Sequence, residues 1–310
     1  MYRPMHNSAG IRRLIFVLSI AFLFLASGSG NAQEITDSEA EVSNLKAFPA
    51  VGPQLARILE RGVIRIGLQR NYKPFHLEST EYPGIDVEIA KALAQSLGVQ
   101  VEYHYGDVAQ LIAMVNAEPG SGASIDIALG GISSGLVRAR YVVFSDPYMI
   151  TTPAALLNRQ MLPPESGTED FPRRKIESLA DLRFLPRLTI GVKAGTVNER
   201  LLRSDAIFEK HTVQPFADRE ELLQALIDGD VDALVADEVR IRAIVIQNRQ
   251  LLSRFSTLTN VYREEHISMA LHPGDPAFLN YVNFFIKELH RTGKLSRLRE
   301  VYLENGEWAD

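Results

Sequence analysis

Val63-Ile-Arg-Ile-Gly-Leu68 and Ile125-Asp-Ile-Ala-Leu129-Gly-Gly131 bound the stretch that decides the fold. Both are short β-branched runs ending at or near glycine, the pattern of buried strands. Between them Ile85, Ile89, Leu93 and Leu97 recur every four residues after Gly84 and stop at Gly98, which predicts an amphipathic helix. Val99 to Tyr105 reads as a second strand and Leu111 to Val115 as a shorter helix, so the order is β-α-β-α-β. The same order returns with strand Leu188 to Val192, a helix from near Asn198, strand Thr212 to Pro215, helix Glu220 to Ile227 and strand Val231 to Val235. Two such units predict an α/β protein of two lobes, each a mainly parallel sheet flanked by helices. Ligands of such sheets sit beyond the carboxyl ends of the strands, so Gly130-Gly131 and Ala236-Asp237 face a cleft at the hinge.

Outward from this core, the fold is expected to start near Val51. Residues 51–149 and 259–310 form the first lobe in this reading, and 150–258 the second. Asn158 to Lys175, rich in proline, glycine and charge, reads as a surface loop. After Asp237 a helix with Ile241, Ile244 and Val245 leads to a strand over Ile267 to Leu271. Pro276 opens a long helix, Gly293 stops it, and Leu295 to Leu303 forms the last one.

The amino-terminal residues carry a different message. Arg3, Arg12 and Arg13 precede the apolar run Leu14 to Ala26, and Gly30-Asn31-Ala32 has the small-x-small form of a cleavage site, so 1–32 reads as a secretory signal peptide. The polar, acidic stretch 33–50 reads as a flexible leader. There is no cysteine, which excludes both a lipidated cysteine anchor and a disulfide framework. The 310-residue chain has 33 Lys and Arg against 38 Asp and Glu, a net charge of −5 that argues against nucleic acid as a partner. The expected product is periplasmic, not membrane-anchored, and a monomer.

Individual residues then carry a resemblance. Arg61-Gly-Val-Ile-Arg-Ile-Gly67, Tyr72-Lys-Pro-Phe75, Gly84-Ile-Asp-Val-Glu-Ile-Ala-Lys-Ala-Leu-Ala94, Arg138-Ala-Arg140, Phe144-Ser-Asp-Pro-Tyr148, Gly191-Val-Lys-Ala-Gly-Thr196 and Asp232-Ala-Leu-Val-Ala-Asp237 occur in this order. Together they resemble the family 3 extracellular solute-binding proteins of polar amino-acid ABC transporters. The resemblance implies a hinge-bending receptor that closes on an amino acid or related carboxylate and delivers it to an ABC permease. It also implies that Arg138 grips the ligand α-carboxylate, Thr196 adds a hydrogen bond and Asp237 takes the α-ammonium. Tyr72 and Phe75 line the cleft in this reading, with Gly131 and Ser133 beside them. Gly135-Leu-Val-Arg138 stands where the family usually has Thr-Pro-Glu-Arg, leaving Ser133 and Ser134 to supply a hydroxyl. Val108 replaces a common tryptophan, and Glu118 to Ser124 reads as an added loop.

The chemistry of these residues suits a zwitterion. Arg138 presents a planar fork that matches a carboxylate, and Thr196 precedes a predicted helix whose free N–H groups favour an anion. Each residue also has a plain structural use: Arg138 as a partner for Asp146, Asp237 as a helix cap, Tyr72 and Phe75 as core. Gly130-Gly-Ile-Ser-Ser-Gly135 does not fit a nucleotide loop, and the seven dispersed histidines form no metal motif, so no cofactor and no metal are expected. The rival reading is an enzyme on the same scaffold. Periplasmic cyclohexadienyl dehydratases are similar in pattern and place Asn-Glu directly after Gly-Thr, with the glutamate as catalytic acid. Here Val197 intervenes before Asn198-Glu199, which turns Glu199 by ~100° on a helix, so no catalytic residue is assigned. A sensory binding protein acting in trans is a third reading.

Overall fold

Two five-stranded sheets organise the computed structural model, which describes residues 52–163 and 175–309. The expected signal peptide (1–32), the leader (33–50) and most of the 158–175 loop lie outside the described residues. In the first sheet β1 (Val63–Leu68) pairs in parallel with β2 (Gln100–Tyr105) and β3 (Ile127–Ala128). β4 (Val143–Thr151) and β10 (Glu265–Leu271) complete it in the order β2-β1-β3-β10-β4, with β10 antiparallel to both neighbours. The second sheet contains β5 (Pro153–Asn158), β6 (Thr189–Lys193), β7 (Thr212–Phe216), β8 (Ala233–Asp237) and β9 (Phe255–Leu258). Its order, β7-β6-β8-β5-β9, repeats the first scheme, with β6 parallel to β7 and β8 and β5 antiparallel to β8 and β9.

The helices follow from their end signals. Pro53 at the first position and Gly62 at φ 67 delimit α1 (Pro53–Arg61). Gly98 stops α2 (Ile85–Leu97), and Asp107 with Gln110 forms a capping box for α3 (Val108–Val115). Thr196, Asp218 and Asp237 each cap a helix of the second lobe: α4 (Val197–Ser204), α5 (Arg219–Asp228) and α6 (Glu238–Gln247). Alternation then sorts the core. Ala154, Leu156 and Leu234 pack on one face of the second sheet, while Ala155, Leu157, Ala233 and Val235 pack on the other. Both faces are covered, which is why these strands read as unbroken apolar runs. A leucine so buried contributes roughly 1.5–3 kcal/mol relative to exposure.

The structure departs from the sequence reading in several places. β3 keeps two of the five expected residues; Leu129 N still donates to Gly67 O at 2.9 Å, and the chain turns at Gly130 (φ 109) and Gly131 (φ 61). β4 runs through Ser145-Asp146-Pro147, a stretch for which the sequence reading assigned no strand. Proline is tolerated there because β4 is an edge strand, and Pro147 sits at a register irregularity against Ser268. α7 (Pro276–Arg291) matches its signals. The expected last helix instead divides into α8 (Lys294–Arg299) and a wider helical turn, Glu300–Asn305. Thr152 alone separates β4 in the first sheet from β5 in the second, and residues 259–264 make the return. Among the described residues no helix is long and apolar enough to cross a membrane.

Candidate functional site

The turn after β3 is held from behind by one carboxylate. Asp86, fully buried in the first turn of α2, accepts hydrogen bonds from Gly130 N (2.6 Å), Gly131 N (2.9 Å) and the Tyr148 hydroxyl (2.7 Å). Burial pushes its pKa up to about 7 against the opposing pull of these three donors. The Gly130-Gly131 turn is thereby pinned, and Gly131 is not a free donor for a ligand. Its role is steric: at φ 61, a Cβ on Gly131 would lie 2.8 Å from ring atoms of both Tyr72 and Phe75. Gly131→Ala is therefore expected to cost ~1–3 kcal/mol through overpacking and to displace Tyr72. Urea unfolding with an unchanged midpoint would show that the rings move aside freely.

Tyr72 and Phe75 have different fates. Phe75 is 1 % exposed and fills the core behind the loop, with its ring centroid 5.2 Å from that of Tyr72. The Tyr72 ring faces the second lobe, and its hydroxyl donates to Asp237 Oδ2 at 2.8 Å. Burial and the Asp237 charge hold the phenol well above its ordinary pKa, so it stays a donor. Asp237, at the end of β8, also accepts from Arg240 N at 2.8 Å and so caps α6. The helix-cap role and the cleft position thus coexist in one carboxylate, since its two oxygens offer about four acceptor sites.

Arg138 follows the 132–134 segment of the first lobe. It donates from Nη1 to Ser133 O at 2.7 Å and has no carboxylate partner among the described residues. Asp146 does not pair with it; the aspartate lies 3.8 Å from Lys287 instead. Burial and neighbouring Arg200 lower the Arg138 pKa, while Glu265 and Tyr72 oppose that. Ser133 Oγ donates to Glu265 Oε2 at 3.2 Å, and Glu265 Oε1 is buried without a partner. Burial and the Asp237 charge raise the Glu265 pKa. Glu265 is a site residue that the sequence reading missed. Its only local signal is an acid opening an apolar strand.

Thr196 and Glu199 are engaged with their own helix. Thr196 Oγ1 accepts from Glu199 N (3.2 Å) and donates to Lys193 O (2.7 Å). Glu199 turns back, accepting from Gly195 N at 2.8 Å and pairing with Arg203 at 3.0 Å. The Gly195 amide and Arg203 hold its pKa below the ordinary carboxylate range, so Glu199 is ionised and has no proton to give near neutral pH.

Two hollows adjoin these residues. One, of about 40 Å³, is lined by Tyr72, Thr196, Asn198, Asp237 and three cations, Lys193, Arg219 and Arg240. The other, of about 720 Å³, runs between α3 and α4 past Arg138, Gly195 and Arg200. The structure thus brings Tyr72, Thr196 and Asp237 to one cavity and Arg138 to the adjoining recess, with Ser133 and Glu265 between Arg138 and Asp237 in the hydrogen-bond and charge network. Phe75 and Gly131 stand behind as support. No group of three or more His, Cys, Asp or Glu could hold a metal ion among the described residues.

The sequence profile of Bacterial extracellular solute-binding proteins, family 3, matches residues 64–305. Cyclohexadienyl dehydratase of Pseudomonas aeruginosa is 29% identical over 264 residues, spanning 81% of this chain and 86% of that protein. The L-cystine-binding protein TcyJ of Escherichia coli is 25% identical over 261 residues, 84% of this chain and 89% of its own length. A crystal structure described as an ancestral amino acid-binding protein, a precursor of cyclohexadienyl dehydratase, superposes with a TM-score of 0.65 at 28% identity, covering 81% of this chain and all of that one.

Proposed function

The chain belongs to the family 3 bacterial extracellular solute-binding proteins, and from that premise we propose that it captures an amino acid or related carboxylate in the cleft and delivers it to an ABC permease. In this reading residues 1–32 export the chain to the periplasm, and the 51–149/259–310 and 150–258 lobes close on the solute. The observation that carries the proposal is the pairing of a cation without an acid, Arg138, with two acids across from it, Asp237 and Glu265. Arg138 takes the ligand carboxylate in a two-pronged contact. Asp237 and the free Oε1 of Glu265 take an ammonium. The Tyr72–Asp237 bond joins the lobes, so ligand contacts on both sides favour closure.

The dehydratase relative supports a second reading, conversion of a ring acid, with the cleft as an active site. The ionised Glu199, turned back onto the Gly195 amide and Arg203, weighs against it. A thermal-shift screen of the protein, refolded to strip carried-over ligand, against amino acids, prephenate and arogenate separates the two. At 100 times its dissociation constant a ligand adds ~2.7 kcal/mol, and at roughly 2–4 °C per kcal/mol the shift is easily seen. Stabilisation by an amino acid without turnover is the expected result. Appearance of an aromatic product from prephenate or arogenate would replace it with the enzyme.

A further inference from the structure

The small cavity beside Tyr72 holds more positive charge than its own acids neutralise. Lys193 Nζ makes one hydrogen bond, to Ala194 O at 3.4 Å, forms no ion pair, and is felt by Glu199 only through its field. Arg219 donates to Gln69 Oε1 at 3.0 Å and lies 4.1 Å above the Tyr72 ring, with no carboxylate partner. Arg240 reaches Glu220 at 3.3 Å, so one of the three cations is balanced outside the cavity. Asp237, the one acid in the cavity wall, is already engaged by Arg240 N and Tyr72. A second, independent feature is Asn198. It is 7 % exposed, lines the cavity, and its side-chain oxygen has no partner. Turned about its last bond, the same amide offers two N–H donors. Helices α4, α5 and α6 all begin around this space, adding their positive ends.

We propose that this cavity is a subsite for a second anionic group, so that the captured solute is a small dicarboxylate held by Arg138 at one end and by Lys193, Arg219 and Asn198 at the other. The inference rests on the capture function proposed above and narrows its ligand. A cationic side chain entering here would meet Lys193 and Arg219 directly. A neutral amide would leave both unpaired, which is how a buried polar site rejects an analogue. The dicarboxylate is either an acidic amino acid, with its ammonium at Asp237, or a nitrogen-free diacid.

Isothermal titration of the stripped protein with L-glutamate, L-aspartate, their amides L-glutamine and L-asparagine, L-arginine, succinate and glutarate tests this. The expected result is that at least one diacid binds at least tenfold tighter than every monocarboxylate. Glutamate or aspartate as best ligand identifies an acidic amino acid; succinate or glutarate identifies a nitrogen-free diacid. Arg219→Gln and Lys193→Met should each weaken that diacid more than tenfold while leaving the affinity of its monocarboxylate counterpart within about twofold. Two variants on different elements guard against a folding defect in one. If glutamine, asparagine or arginine binds tightest and loses affinity in Arg138→Ala, the capture reading stands and the second subsite falls. If no diacid binds, the second subsite falls, while the capture reading is decided separately by the thermal-shift screen against the wider set of solutes.

Discussion

Arg138→Ala is expected to lower ligand affinity by ~2–5 kcal/mol, the usual cost of truncating one partner of a buried charge pair. That is roughly a 30-fold to several-thousand-fold rise in Kd. The size follows from position. Arg138 is half-buried, its hydrogen-bond acceptor among the described residues is Ser133 O, and Glu265 acts on it only at a distance, so in the proposed function the ligand carboxylate is its direct counter-charge. For the same reason the unliganded variant should unfold at nearly the wild-type temperature, since no ion pair is lost. Arg138→Lys keeps the charge but loses the planar fork, and an intermediate affinity is expected. Titration showing wild-type affinity in Arg138→Ala would remove Arg138 from the site.

Asp86→Ala should have the largest effect on stability. It leaves Gly130 N, Gly131 N and the Tyr148 hydroxyl without their acceptor in a site sealed from water. A buried donor so abandoned costs ~1–3 kcal/mol, so a loss of ~3 kcal/mol or more is expected, read as a melting temperature lower by roughly 6–12 °C. The same residue gives a pH signature. Its folded pKa, about 7, lies above the unfolded value of ~3.9, so the folded state holds the proton more tightly. The Asp86 contribution is therefore full below about pH 4 and is lost as pH rises towards 7. Asp86→Asn should remove that part of the pH dependence; an unchanged stability profile between pH 4 and 7 would show that Asp86 is ionised throughout.

Much of the fold was legible because its parts have local causes. α2 announces itself by four apolar residues on one stripe and glycines at both ends, and β1 by a β-branched run. β4 was not, because Pro147 interrupts the strand pattern locally and only its edge position makes it harmless. The site divides in the same way. Arg138, Thr196 and Asp237 stand in motif-like contexts, while Glu265 opens a strand, and Arg219 and Asn198 lie at predicted helix starts that gave no reason to single them out. Asp86 lies 44 residues from Gly130, so its task of pinning that turn exists only once the sheet has formed. Glu199 shows the converse: the one-residue displacement seen in the sequence is matched by a side chain that bends back to its own helix.

The two sheets share a strand order but not a schedule. All five strands of the second lie between Pro153 and Leu258, so that sheet can be finished from one continuous stretch of chain. In the first, β10 is inserted between β3 and β4 and comes from the far end of the sequence. A growing chain that has not reached Glu265 therefore carries two bare strand edges facing an empty slot, while the loop that must close to fill it spans the whole second lobe. Sheets assembled across such separations form slowly and expose their edges meanwhile. The first lobe is the one most vulnerable to mispairing before synthesis is complete, and a carboxyl-terminal truncation would strand it there permanently.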